Sequence, residues 1–188
     1  HPLTVLRPDI RPFRLTSENQ KASIIEKLGI DNLFIINFTK EFSQIKAADF
    51  IRQVLVGGLS VSHIVTGEDF IFGHNREGHS ELIAKASAEY NFGYAKVLPV
   101  GNSDEIFSST IIRRNLEEGN LAAASAMLGR NFAIYGVVQE GDKKGREFGF
   151  PTININPDEY LRPAFGVYAV KIYIEGRDKP LYGAANIG

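Results

Sequence analysis

The sequence predicts an α/β chain in which a parallel-sheet domain is followed by an antiparallel β domain. Three observations carry that prediction. Short apolar runs alternate with helical patterns up to about residue 100, and helical stretches then run to Gly129. Beyond Gly129 the extended runs follow one another with no helix between them.

In chain order, SENQKASIIEKLG (17–29) has Ser17 as a cap, Gln20 as capping-box partner and Gly29 as terminator, so it reads as a helix. NLFIINF (32–38) is short and rich in β-formers and reads as a buried strand. AADFIRQVLVGG (47–58) places Phe50, Val54 and Leu55 on one helical face. VSHIVTG (61–67) is a strand, HSELIAKASAEYNFG (79–93) a helix and YAKVLPV (94–100) a strand. Such alternation favours a parallel sheet with crossover helices. Three strands are few for that sheet, so the chain is expected to begin after at least one βα unit. A helix over about 109–117 follows. FAIYGVVQE (132–140), TINI (152–155), VYAVKIYIEG (167–176) and LYGAANI (181–187) then read as strands of a small barrel. Four strands do not close a barrel, so the carboxyl end is also expected to be cut. The expected domains are 1–128 and 129–188.

Composition excludes several function classes. At 188 residues with 44% hydrophobic and 23% charged content, the chain suits one or two packed cores. Twenty-one Lys+Arg against 22 Asp+Glu leave a net charge of −1, so no field for a nucleic-acid polymer exists and an anion site must be local. With no cysteine there is no disulfide, thiolate metal site or cysteine nucleophile. That usage fits a reducing, cytoplasmic setting. LAAASAML (121–128) is far below the ~20 apolar residues of a membrane span, and the proline-bearing opening HPLTVLRPDIRPFRL is no signal peptide.

Three stretches carry chemistry. In GDKKGREFGFPTININ (141–156), Gly141, Gly145 and Gly149 permit positive φ and close ligand approach, while Lys143, Lys144 and Arg146 can meet phosphate. Pro151 holds Phe150 extended and starts a strand. Thr152, Asn154 and Asn156 then share one face, and Ile153 and Ile155 point to the other. A hydroxyl and an amide oxygen two residues apart are hard ligands of the kind Mg2+ takes beside phosphates. A solvated lysine hairpin leading into a half-buried strand explains the same residues.

SSTIIRR (108–114) opens a helix whose free amides and dipole attract anions, with Arg113 one turn beyond Thr110 and Ile112 and Leu116 facing the core. An ordinary capped helix with Arg113–Glu117 and Arg114–Glu118 pairs reads equally well. GEDFIFGHNREG (67–78) leaves the carboxyl end of a strand, where open α/β sheets bind ligands. There Asp69 can accept hydrogen bonds from a heteroaromatic edge, and Phe70 and Phe72 can pack on a flat ring or plug the core. His74 and His79 lack a third ligand and read as surface residues.

Taken in order, these pieces resemble the bifunctional bacterial riboflavin kinase/FMN adenylyltransferase family, the FAD synthetases. The matching segments are His1-Pro2 with VLRP and PFRLT, GEDFIFG with Arg76 and Gly78, SSTIIR, GREFGFPTIN, GVYA (166–169) and AANIG (184–188). The resemblance spans essentially the whole chain, and GRxxGFPT followed by Asn is its most specific part. It implies a Rossmann-like nucleotidyltransferase domain with a parallel sheet, lacking its first βα unit. An antiparallel β-barrel riboflavin kinase domain lacking its carboxyl part would follow.

Carried over by position, Ser109, Thr110 and Arg113 match residues that hold ATP phosphates, with Arg113 also acting on the departing pyrophosphate. His1 matches a histidine near the nucleotide, and Asp69, beside Phe70, matches a flavin-site position. Thr152 and Asn154 match the pair that binds Mg2+ and ATP in the kinase; Gly145, Arg146, Phe150 and Pro151 match its nucleotide loop. Ile153 replaces the family's alanine. The paired-histidine motif, the kinase's glutamate base and its arginine-proline-threonine segment do not occur in these residues. The implied ligands are Mg2+ and ATP, with riboflavin, FMN and FAD as substrates or products; no nucleic acid or membrane partner is implied, and a homo-oligomer is allowed. Two competing readings are a flavin- or nucleotide-binding module without catalysis and a nucleotidyltransferase for another mononucleotide.

Overall fold

The computed structural model describes residues 2–7, 9–102, 105–141, 145, 149, 152–157 and 159–188. They form a mixed α/β structure divided into two compact units, one of residues 1–10 and 34–106, the other of 11–33 and 107–188.

In the first unit, β1 (His63–Gly67) and β2 (Gly93–Val97) pair in parallel, from His63 opposite Gly93 to Gly67 opposite Val97. The helices of this unit include α1 (Pro2–Leu6), α3 (Lys40–Ser43), α4 (Ala47–Asp49) and α5 (Ser80–Tyr90), and α5 makes the crossover that parallel neighbours require. It starts from the extended His79 and stops where Asn91 turns left-handed, at φ 58°. Its inner face supplies Ile83 and Ala86, which with Ile51 and Phe92 form the core of this unit.

The run 47–58 is helical, but only Ala47–Asp49 is α; Phe50–Gly58 winds as a π-helix. The wider turn is visible where Leu59 N–H bonds the Val54 carbonyl, five residues back, at 2.9 Å. This winding buries Ile51, at 1% exposure, more deeply than Phe50.

The expected strand over 32–38 does not form. Those residues are irregular, and Phe34 and Ile35 are 66% and 61% exposed. A strand exists only where its backbone groups meet a partner, and among the described residues none pairs with this run.

The second unit contains α2 (Glu18–Lys27), α6 (Ser109–Glu117) and α7 (Leu121–Leu128). The capping box of α2 forms as expected: Ser17 Oγ accepts from Gln20 N–H at 3.2 Å, and Gln20 Oε1 accepts from Ser17 N–H at 3.0 Å. Gln20 is also buried, taking the Tyr160 hydroxyl at 2.8 Å and donating to the Ala133 carbonyl at 3.1 Å. Leu15, Ile112, Leu116, Ala124 and Leu161 make the core, so Ile112 and Leu116 do face inward.

The extended segments of this unit pair less than expected. β3 (Val138–Gln139) meets β4 (Asn154–Ile155), and β5 (Gly166–Ile172) meets β6 (Leu181–Ile187), both antiparallel. Among the described residues each sheet has two strands, so no closed barrel is present and the parallel sheet has two strands rather than three.

Candidate functional sites

The start of α6 is built by its own sequence. Ser108 is extended (φ −140°, ψ 149°) and its Oγ accepts from Ile111 N–H at 3.2 Å, while Ile112 N–H bonds the Ser108 carbonyl at 3.0 Å. With Ile111 N–H taken by Ser108 Oγ, helix geometry leaves the amides of Ser108, Ser109 and Thr110 for an outside acceptor, Ser109 and Thr110 being the two of the first helical turn. Both residues are exposed, and the buried Ile112 and Leu116 fix the direction in which they face.

Arg113 is half-buried and turned toward Phe13 rather than toward Glu117. Its Nε donates to the Phe13 carbonyl at 2.8 Å, and its guanidinium carbon lies 5.5 Å from the centre of the Phe13 ring. Sequence reasoning missed Phe13. A main-chain carbonyl 100 residues away leaves no mark in a motif; only the aromatic in PFRLT hinted at it.

The second feature is a cleft of about 190 Å³ lined by Val138, Gln139, Glu140, Gly141, Thr152, Ile153 and Asn154. Thr152 and Asn154 are exposed, open to a ligand rather than turned into a dry interior. Ile153, expected on the face opposite Thr152 and Asn154, also lines the cleft and is 54% exposed. Ile155 packs against Gly136 instead.

Of the three loop glycines, Gly149 adopts positive φ, at 77°, and Gly141 does not. Gly141 is needed for space, because the Asn154 carboxamide lies directly against it. The threonine hydroxyl and asparagine carboxamide supply hard, neutral oxygens. No group of three or more His, Cys, Asp or Glu that could hold a metal occurs among the described residues. This donor set suits a magnesium ion that arrives with phosphate charge. His1, Arg146, Phe150 and Pro151, with Lys143 and Lys144, lie outside the described residues.

The third feature follows β1. Glu68 N–H bonds the Val97 carbonyl at 3.1 Å, and Phe70 N–H closes a turn on Gly67 at 3.2 Å, leaving Asp69 exposed at the carboxyl ends of the strands. Phe70 and Phe72 stack on each other, with centroids 5.3 Å apart and planes 16° from parallel. Phe72 is the inner member of the pair, and Phe70 keeps 39% exposure.

A two-way bridge between Phe72 and Gly78 closes the loop, and a side chain at Gly78 would collide with the Phe72 ring and Ala47. Glu77 Oε1 caps the Ala47 amide at 2.9 Å. His74 is half-buried with Nδ1 3.0 Å from the Ser43 carbonyl, not the free surface residue expected; His79 is exposed.

Residues 1–111 match the FAD synthetase family model, and residues 128–188 match that of riboflavin kinase. The chain belongs to the FAD synthetase family. It is 39% identical over 187 residues to the bifunctional riboflavin kinase/FMN adenylyltransferase of Escherichia coli K12. Identity to the proteins of the same description is 38% over 190 residues in Listeria monocytogenes and 35% over 190 residues in Bacillus subtilis. All of this chain is covered in each case, but it spans only 59% of the length of each relative. The crystal structure of a macrolide-efflux protein from Streptococcus pneumoniae superposes with a TM-score of 0.83 at 26% identity, covering 100% of this chain and 60% of that one. Among the described residues, no helix of this FAD synthetase family member is long and apolar enough to cross a membrane.

Proposed function

We propose that the protein phosphorylates riboflavin to FMN and adenylylates FMN to FAD, using ATP in both steps. The adenylyltransferase part is assigned to residues 1–128 and the kinase part to 129–188. The observation that carries this reading is that the family's two phosphate-handling motifs both lie open to solvent: Ser109–Thr110 at a helix start, and Thr152 with Asn154 in a cleft.

Phosphoryl and adenylyl transfers are catalysed mainly by positioning and charge stabilisation, which such features supply. In the kinase step the ribityl hydroxyl of riboflavin attacks the γ-phosphorus of ATP, and ADP leaves. Thr152 and Asn154 would hold magnesium through their side-chain oxygens, and Gly145, Arg146, Phe150 and Pro151 would enclose the nucleotide. Bound magnesium supplies charge neutralisation on the phosphates.

In the second step an FMN phosphate oxygen attacks the α-phosphorus of ATP and pyrophosphate leaves. The Ser109 and Thr110 amides and the Arg113 guanidinium stabilise the departing charge. His1 is assigned to the nucleotide by its match to the family, while Asp69 and Phe70 hold the flavin by hydrogen bonding and stacking. The substrates are small molecules, in keeping with the balanced net charge, and the setting is cytoplasmic. Incubating the full-length protein with riboflavin, ATP and Mg2+ should give FMN and then FAD by chromatography; no flavin product would overturn the proposal.

A further inference from the structure

The PFRLT segment has no part in the chemistry described above, yet it touches the residue on which adenylyl transfer depends. We infer that Phe13 is the positioning residue for Arg113. This rests on Arg113 being a phosphate ligand of the adenylylation step. A guanidinium has five N–H donors in a planar fork, and the direction of the outer pair is set once Nε is tied down. Here Nε is tied to the Phe13 carbonyl at 2.8 Å, and the Phe13 ring lies under the cation at 5.5 Å. The two terminal nitrogens are thereby aimed by one residue, through its backbone and its side chain.

The geometry is rigid at both ends. Leu15, two residues beyond Phe13, shares one core cluster with Ile112 and Leu116, which flank Arg113 on α6. Between Phe13 and Leu15, Arg14 N–H bonds the Glu159 carbonyl at 3.0 Å, and the Arg14 carbonyl accepts from Leu161 N–H at 2.9 Å. Arg14 Nε also lies 3.0 Å from a Glu159 carboxylate oxygen. Phe13 therefore stands on a braced strip of backbone beside the helix start. It presets the arginine before nucleotide arrives, which lowers the ordering cost of binding the leaving group.

The test uses the full-length enzyme and measures FMN adenylylation and riboflavin phosphorylation on the same preparations. Phe13→Leu keeps the carbonyl and removes the ring; kcat for adenylylation should fall by about fivefold, with riboflavin phosphorylation unchanged. Phe13→Tyr should restore the wild-type rate. Phe13→Leu combined with Arg113→Ala should be no slower than Arg113→Ala alone, because Phe13 acts only through that arginine. Phe13→Met, of similar volume, serves as a second variant and is read the same way.

An unchanged kcat in Phe13→Leu alongside a slow Arg113→Ala overturns the positioning role and leaves the reading of Arg113 intact. A double variant slower than Arg113→Ala by the full Phe13→Leu factor also overturns it, since that is the mark of a separate structural effect. Wild-type adenylylation in Arg113→Ala overturns the reading of Arg113 and this inference with it.

Discussion

Substituting Gly141 by alanine tests the cleft with the least disturbance elsewhere. Gly141 does not occupy the left-handed region, so alanine brings no backbone strain. The added methyl would collide with the Asn154 side-chain amide nitrogen, its nearest neighbour, and stand 2.9 Å from the carboxamide carbon, whereas carbon atoms settle at about 3.5–4.0 Å. The carboxamide must therefore move by at least about 1 Å. Asn154 is exposed and can swing, so stability should change by no more than about 0.5 kcal/mol.

A displacement near 1 Å at a group that positions a reacting phosphate costs on the order of 10²-fold in rate. Gly141→Ala should accordingly lower kcat/KM for riboflavin phosphorylation by about 10²-fold, with the melting temperature nearly unmoved. FAD formation from supplied FMN should continue. The assay is chromatographic separation of riboflavin, FMN and FAD after incubation with Mg2+ and ATP. Wild-type riboflavin phosphorylation in Gly141→Ala would refute the reasoning. So would a Gly141→Ala/Asn154→Ala double variant much slower than Asn154→Ala.

Two further changes probe the second unit. Gln20→Ala removes a buried amide that serves Tyr160, Ser17 and Ala133; the orphaned groups should cost about 2–3 kcal/mol, read by denaturant unfolding. Ser108→Ala removes the side-chain acceptor at the start of α6 and should cost about 1 kcal/mol, whereas Ser108→Gly should cost only a few tenths.

How far the sequence could be read depended on the range of the interactions involved. The α2 capping box and the inward face of α6 rest on contacts within four residues, so Ser17, Gln20, Ile112 and Leu116 announced them. The π-winding of Phe50–Gly58 was hidden because no residue pattern separates i→i+5 from i→i+4 bonding and the π-helix is rare. NLFIINF has strand composition, but pairing is not a property of one segment, and the run stays exposed. The same limit shortened the expected strands around Val138 and Asn154 to two residues each. At the candidate sites, residue types and spacing left Thr152, Asn154, Ser109 and Thr110 open between a phosphate-binding and a purely structural reading, and the family resemblance singled them out. The Asn154–Gly141 and Arg113–Phe13 contacts are tertiary, and they decide where those functional groups point.

The packing of α6 bears on whether the two assigned parts can work apart. Dividing the chain at 128/129 follows the change of sequence pattern, yet Leu116 and Ile112 share their core with Leu161. The Leu116 carbonyl accepts from Ala164 N–H at 2.9 Å, and Arg14 pairs with Glu159. A fragment ending at residue 128 would lose Leu161, which is 4% exposed, from beneath the helix that presents Thr110 and Arg113. Loss of a large buried aliphatic side chain costs about 2–5 kcal/mol, a large part of the 5–15 kcal/mol that holds a typical protein folded. In the full-length protein, Leu161→Ala should therefore lower stability by about 2–5 kcal/mol and slow adenylylation of supplied FMN, although residue 161 falls in the kinase part. The measurement is denaturant unfolding beside FAD formation. Unchanged stability in Leu161→Ala would mean that α6 draws no support from beyond residue 128, and that the division there is a physical boundary as well as a sequence one.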